Sequence, residues 1–179
     1  MNTKSEKNET LIIIGKSGSG KSYLLSQLSA SLPLGVKSTT RPPRINEVNG
    51  KDNYFITDDE FQKNIDDKNF MFTQTYYNKD GHKWQYGLLK TEFEKGQLFI
   101  FTPKELKILD DLQRPKCFVV YLDIDIEIRR SRLNKRNDMN DSIDRRIEAD
   151  ELDFMNFKDY DLKITDPEFD TTLILSLMF

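Results

Sequence analysis

The run Gly15-Lys16-Ser17-Gly18-Ser19-Gly20-Lys21-Ser22 follows directly on the apolar stretch Leu11 to Ile14 and leaves the chain few ways to fold. Glycines at 15, 18 and 20 permit a tight turn whose backbone N–H groups converge on a phosphate, at the positive end of a helix starting near Gly20. The spacing G-x-x-x-x-G-K-S, between a β-branched run and Tyr23-Leu24-Leu25, is the strand, loop and helix context of a P-loop. In that reading Gly15 to Ser22 cradle a nucleoside triphosphate, Lys21 reaches its outer phosphates, and the Ser22 hydroxyl is a ligand for magnesium. The competing reading is a glycine-rich turn with an exposed lysine.

A chain of 179 residues, 37% hydrophobic, can bury one good core, which argues for a single domain with inserted lobes. A formal net charge of −3 gives no global basic field, so nucleic acid is not expected as a partner. The lone Cys117 cannot form an internal disulfide, and no N-terminal apolar segment suggests a leader or a membrane span. A cytoplasmic monomer or homodimer without membrane partners is the expectation. Cys117 lies in the run CFVVYL and reads as a packed core thiol.

Met1 to Thr10 reads as a polar tail, Leu11 to Ile14 as a buried strand and Lys21 to Leu32 as a helix. Lys37 to Phe55 holds a proline pair and Asn49-Gly50, which exclude a long helix and give a strand leading into an arginine-bearing loop. Arg41 and Arg44 have the spacing to grip one phosphate, each charge-assisted contact contributing roughly 1.5 to 3 kcal/mol. A solvated basic turn is the alternative for Arg41-Pro42-Pro43-Arg44 taken alone.

Asp58 to Asp67 reads as a helix with Phe61 and Ile65 inward, and Phe70 to Tyr77 as a strand. Asn78 to Gly81 is a hairpin turn, with a return strand through Trp84 and Tyr86. Tyr76 and Trp84 are expected in the core of this lobe, and His82, the single histidine, in solvent. Helices are expected over Leu88 to Lys95, Lys104 to Leu112, Ile126 to Leu133, Ser142 to Phe157 and Phe169 to Phe179. Strands are expected over Gln97 to Phe101, Cys117 to Leu122 and Tyr160 to Ile164, an alternation that signals a doubly wound α/β fold. Asp123 and Asp125 read as helix caps rather than a metal pair. Arg129, Arg130, Arg132, Lys135, Arg136, Arg145 and Arg146 form a charge run that composition alone would leave solvated.

Taken together, the P-loop, the segment Ser38-Thr39-Thr40-Arg41-Pro42-Pro43-Arg44 and the following Glu47-Val48-Asn49-Gly50-Lys51-Asp52 closely resemble the guanylate kinase family. The resemblance runs through nearly the whole chain in order. It implies an α/β P-loop NTPase core over 11–35 and 91–179, with a parallel sheet flanked by helices. It also implies an inserted, mainly antiparallel acceptor-binding lobe at about 36–90 and an arginine-rich lid at about 130–146. The implied activity is ATP-dependent phosphoryl transfer to a nucleoside monophosphate, GMP or dGMP by family default, with Mg2+. The implied ATP site is Gly15, Lys16, Ser17, Gly18, Ser19, Gly20, Lys21 and Ser22. Arg41, Arg44 and Tyr86 would hold the acceptor phosphate. Lys21, Arg41, Arg132, Arg136 and Arg146 would serve catalysis, with Arg145 competing for the last place. An arginine in that role is worth roughly 1,000-fold or more in rate.

The match thins where the family reads guanine. Leu88 stands for a serine or threonine, Phe72 for a glutamate, and Phe101-Thr102-Pro103-Lys104 for a strand end carrying an Asp-Ile-Asp run. Lys37 stands for a serine and Asn53 for a tyrosine, with Tyr54 beside it. The implied acceptor set is therefore Lys37, Arg41, Arg44, Glu47, Tyr54, Tyr86 and Thr102. Each unpaired guanine group against an apolar wall would cost roughly 1 to 3 kcal/mol. An altered base pocket, a kinase for a phosphorylated sugar such as ribose 1,5-bisphosphate, and a non-catalytic interaction module are the alternatives. The P-loop and the arginines weigh against the last.

Overall fold

The computed structural model describes residues 9–78, 80–109, 113–136 and 142–178, without the side chains of Arg136 and Met178. In chain order its elements begin with Thr10–Gly15 (β1), Lys21–Leu28 (α1), Ser38–Thr39 (β2), Tyr54–Phe55 (β3) and Asp58–Asp66 (α2). Phe70–Tyr77 (β4), Lys83–Leu89 (β5), Lys90–Lys95 (α3), Leu98–Ile100 (β6) and Pro103–Leu106 (α4) follow. Cys117–Leu122 (β7), Ile126–Arg136 (α5), Ile143–Asp153 (α6), Leu162–Ile164 (β8) and Thr171–Met178 (α7) complete them. Pro33–Gln97 forms one compact unit, and the described residues before and after it form another.

The larger unit is built on a parallel sheet in the order β6-β1-β7-β8. All six residues of β1 are buried, as an apolar run without alternation requires when helices cover both faces of a strand. Leu24 and Leu28, one turn apart on α1, are buried with Phe99, Leu106 and Leu133. Gly15 pairs with Leu122, so the segments leaving β1 and β7 emerge side by side at the carboxyl edge of the sheet. Ligands of open α/β sheets bind at that edge. Cys117 is buried, and burial pushes its thiol up to about 11.

Helix α1 ends at Leu28 rather than Leu32, and two further helices of this unit differ from expectation for local reasons. Thr102 caps α4, accepting from Glu105 N–H at 3.2 Å while Glu105 accepts from Thr102 N–H, and the helix ends at Leu106 rather than running on. α6 stops at Asp153 instead of Phe157, and Asn156 takes the left-handed conformation at φ 60°. Phe154, Phe157 and Tyr160 then close around Tyr121, with ring centroids 5.5, 5.2 and 5.6 Å away.

The smaller unit carries a sheet in the order β3-β2-β5-β4, parallel between β2 and β3 and antiparallel elsewhere. A capping box between Thr57 and Glu60 starts α2, which buries Phe61 against Phe70 at 4.6 Å between ring centroids. Leu88 belongs to β5 rather than to a helix, because it pairs with Phe72 and both are buried. The core here is Val36, Phe61, Phe72 and Leu88; Tyr76 is 40% exposed and Trp84 half-buried, contrary to expectation. His82 is exposed. Among the described residues no helix is long and apolar enough to cross a membrane.

Candidate active site

The loop after β1 turns through Gly18 at φ 78° and Gly20 at φ 106°, values that side chains other than glycine's rarely accept. A Cβ at Gly18 would lie 2.7 Å from the Arg129 carbonyl oxygen, so the loop packs directly on the α5 backbone. α1 begins after Gly20 with no side-chain cap, leaving first-turn N–H groups for an anion. Lys21 Nζ donates to the carbonyls of Gly15 at 2.6 Å and Lys16 at 3.0 Å, and Ser22 is exposed on the first turn. Ser19 Oγ is buried within the loop against Gly15, without a hydrogen-bond partner. Ser17 N–H donates to Asp150 at 2.6 Å, and Lys16 pairs with Glu151 at 2.6 Å.

The arginines of the charge run separate by role. Arg132 spends its guanidinium on carbonyls, those of Gly18 at 3.3 Å, Ser19 at 3.2 Å and Pro167 at 3.1 Å. It thereby forms one wall of a cavity of about 270 Å³ with Gly18, Gly20, Tyr23, Pro167 and Phe169. Arg129, expected in solvent, is 1% exposed and bonds to Ile124 O and Glu151. Its place four residues before the buried Leu133, on one helix face, is the signal that could have found it. Arg130 pairs with Asp144. Arg146 is half-buried and Arg145 exposed on the first turn of α6; the side chain of Arg136 and residues 137–141 lie outside the described set.

Asp125 accepts from Glu127 N–H at 2.8 Å at the start of α5, as a cap would. Asp123 is not a cap. It leaves β7 beside Gly15, and its oxygens are taken by Lys163 at 2.6 Å and the Tyr121 hydroxyl at 3.0 Å.

In the smaller unit Arg41 is 4% exposed and bonded through all three guanidinium nitrogens. Its Nη1 and Nη2 each donate to Glu47 at 2.9 Å, Nη1 also donates to Pro42 O at 2.7 Å, and Nε donates to the Tyr86 hydroxyl at 3.0 Å. Glu47 further accepts from Arg44 N–H at 2.7 Å, which folds the Arg-Pro-Pro-Arg loop around one carboxylate. Burial opposes the charge on Glu47, yet the bonds from Arg41 and Arg44 outweigh it and hold the carboxyl below its ordinary value. Arg41 also lies over the Phe55 ring, 5.6 Å from its centroid. The segment therefore presents an oriented cationic cluster rather than a loose basic turn.

The guanylate kinase family model matches residues 7–175. The chain belongs to the guanylate kinase family. A guanylate kinase of Rickettsia felis is 31% identical over 174 residues, 93% of this chain and 91% of the relative. That of Rickettsia prowazekii is 30% identical over 176 residues, 93% and 88% of the two chains. The crystal structure of guanylate kinase from Anaplasma phagocytophilum shares the fold, with a TM-score of 0.70 over 97% of this chain and 85% of that one, at 18% identity.

As a guanylate kinase family member the protein is an ATP-dependent nucleoside monophosphate kinase. Within the family frame, Arg41, Arg44, Glu47 and Tyr86 meet in one cluster of the smaller unit. Lys37 has its ammonium 5.6 Å from the centroid of the Phe72 ring. Tyr54 is on β3, and its N–H donates to Lys37 O at 2.8 Å. Thr102 belongs to the other unit, where its hydroxyl caps α4. What sequence reasoning missed is the acidic pair Asp150 and Glu151, whose helix position carries no motif.

Proposed function

We propose that this family member transfers the γ-phosphoryl group of ATP to the phosphate of GMP or dGMP, giving the diphosphate and ADP, in the cytoplasm. What supports the acceptor side is the gathering of Arg41, Arg44 and Tyr86 around Glu47, which brings two cationic side chains and a hydroxyl to one place for a phosphate. On the donor side, the loop amides and uncapped start of α1 take the triphosphate. Lys21 exchanges its carbonyl partners for outer phosphate oxygens. The adenine lies in the cavity walled by Arg132, Tyr23 and Phe169.

An oxygen of the acceptor phosphate then attacks the γ-phosphorus, the bond to the β–γ bridging oxygen breaks, and ADP leaves with that oxygen. Arg136 and Arg146 offset the charge that spreads over the transferring group. Ser22 offers one hard hydroxyl oxygen, and the described residues hold no cluster of three or more carboxylate, histidine or cysteine groups. That donor set fits a Mg2+ ion that takes its other ligands from phosphates and water. When bound, the ion neutralises phosphate charge.

A broader acceptor range is the second reading. Phe72 and Leu88 pair across the sheet and are both buried, an apolar wall where the family's guanine readers would stand. Loss of guanine hydrogen bonds there costs discrimination more than turnover. ATP consumption against GMP, dGMP, the other nucleoside monophosphates and ribose 1,5-bisphosphate tests both readings. Preference for GMP or dGMP supports the first and a flat profile the second. Activity with the sugar phosphate alone, or silence across the panel, overturns both.

A further inference from the structure

The outer half of the nucleotide loop is held by a different set of groups from its phosphate-facing half. Lys16 Nζ lies 2.6 Å from Glu151 Oε2, joining residues 135 positions apart. The other oxygen of Glu151 accepts from Arg129 Nη2 at 2.8 Å. Arg129 is itself 1% exposed and anchored by Nε to Ile124 O at 2.9 Å. The neighbouring carboxylate, Asp150, takes Ser17 N–H at 2.6 Å. The Lys16 carbonyl, on the same residue that Glu151 grips, is one of the two oxygens holding the Lys21 ammonium. Glu151 is thus one bonded step from a buried post and two from the lysine assigned to the phosphates.

Two carboxylates beside a polyanion site would repel the ligand if they faced it. Here they spend their charge on Lys16, Arg129 and a backbone N–H. Lys16 holds Glu151 below its ordinary value as the largest influence, so the carboxylate is charged at neutral pH. Fixing the loop before the triphosphate arrives removes an ordering cost from binding.

We propose that Glu151 is a positioning residue for the nucleotide loop: through Lys16 it holds the loop in its triphosphate-binding shape. The inference rests on the loop being the ATP site. Because α6 also carries Arg146 on its first turn, the same helix braces the loop and presents an arginine of the transfer step.

ATP affinity of the purified full chain, measured by direct titration, and the separate KM values for ATP and GMP test this. Glu151→Gln and Lys16→Met should each weaken ATP binding roughly tenfold, the scale of one charge-assisted hydrogen bond, with KM for GMP unchanged. Lys16→Met leaves the pair between buried Arg129 and Glu151 intact, so it reports on the loop even where Glu151→Gln destabilises the chain. In the double variant the losses should not add, because both act through one contact. Lys16→Arg should recover most of the affinity. Near wild-type ATP binding in Lys16→Met, additive losses, or an equal rise in the KM for GMP overturns the inference while leaving the kinase assignment standing. Absence of ATP binding in the unaltered chain overturns both.

Discussion

Arg41 shows how one side chain can be both buried and ready for a ligand. Its Nε meets the Tyr86 hydroxyl, Nη1 meets Glu47 and Pro42 O, and Nη2 meets Glu47, so the guanidinium is orientated before any phosphate arrives. Arg41→Ala should chiefly weaken acceptor binding and turnover, seen as a raised KM for GMP and a lower kcat with little change in KM for ATP. Lys21→Ala should abolish transfer to every acceptor. Glu47→Gln strips the carboxylate from a buried guanidinium and should cost about 1.5 to 3 kcal/mol in urea unfolding, because Arg41 keeps its charge and loses its partner. Cys117 is buried with its thiol pushed up to about 11, so a disulfide reagent at pH 8 should leave it unmodified until the chain unfolds.

At the scale of elements, the nucleotide loop is a close fit between β1 and α5 rather than an independent turn. Gly18→Ala would place a methyl group 2.7 Å from Arg129 O at a backbone φ of 78°, and backbone atoms cannot yield as a side-chain tip does. That variant should lose roughly 100-fold in kcat/KM for ATP, since misplacing a binding group by about 1 Å has that effect. Gly81, also at φ 78°, has no atom within 4 Å of an added Cβ. Gly81→Ala should therefore cost only about 1 to 2 kcal/mol of stability, the backbone penalty alone, with unchanged kinetics. The contrast separates a glycine required by packing from one required by a turn.

Over the whole molecule, the described carboxylates that are ion-paired and held low lead the response to acid, while Glu60 and Asp170 are lowered at the surface by their bonds to Thr57 and Thr172. Glu47, Asp123 and Glu151 are all held below ordinary values of 4.5, 3.8 and 4.5. For Glu47 and Asp123 burial acts against the charge but is outweighed, by Arg41 and Arg44 in one case and by Lys163 and Tyr121 in the other; for Glu151 the Lys16 bond leads. A depressed carboxylate binds its proton more readily in the unfolded chain. Its stabilisation is therefore complete above the ordinary value and is lost as pH falls through the folded one. Urea midpoints should stay level from pH 7 to about 5 and decline below about 4.5, and Glu47→Gln should flatten part of that decline. ATP at 100 times its Kd should raise stability by about 2.7 kcal/mol, measured as a rise in midpoint.

The sequence alone determined the elements whose reasons are local. A short unbroken apolar run rich in β-branched residues reads as a strand covered on both faces, so β1 and β7 were legible, and the glycine spacing defined the loop between β1 and α1. Phe61 and Ile65, one turn apart, marked α2, and the structure adds the capping box of Thr57 and Glu60 that starts it. Family likeness supplied the names of the arginines but not their partners. Leu88 reads as helical until its register opposite Phe72 buries it in β5. Arg129 and Arg132 are neighbours in a charge run, yet one is a buried post and the other a clamp on the loop carbonyls. Glu151 meets Lys16 across 135 residues and Arg132 meets Ser19 across 113. Only tertiary structure could decide such pairings, because a charged side chain's energy depends on which partner the fold delivers and how much water it removes.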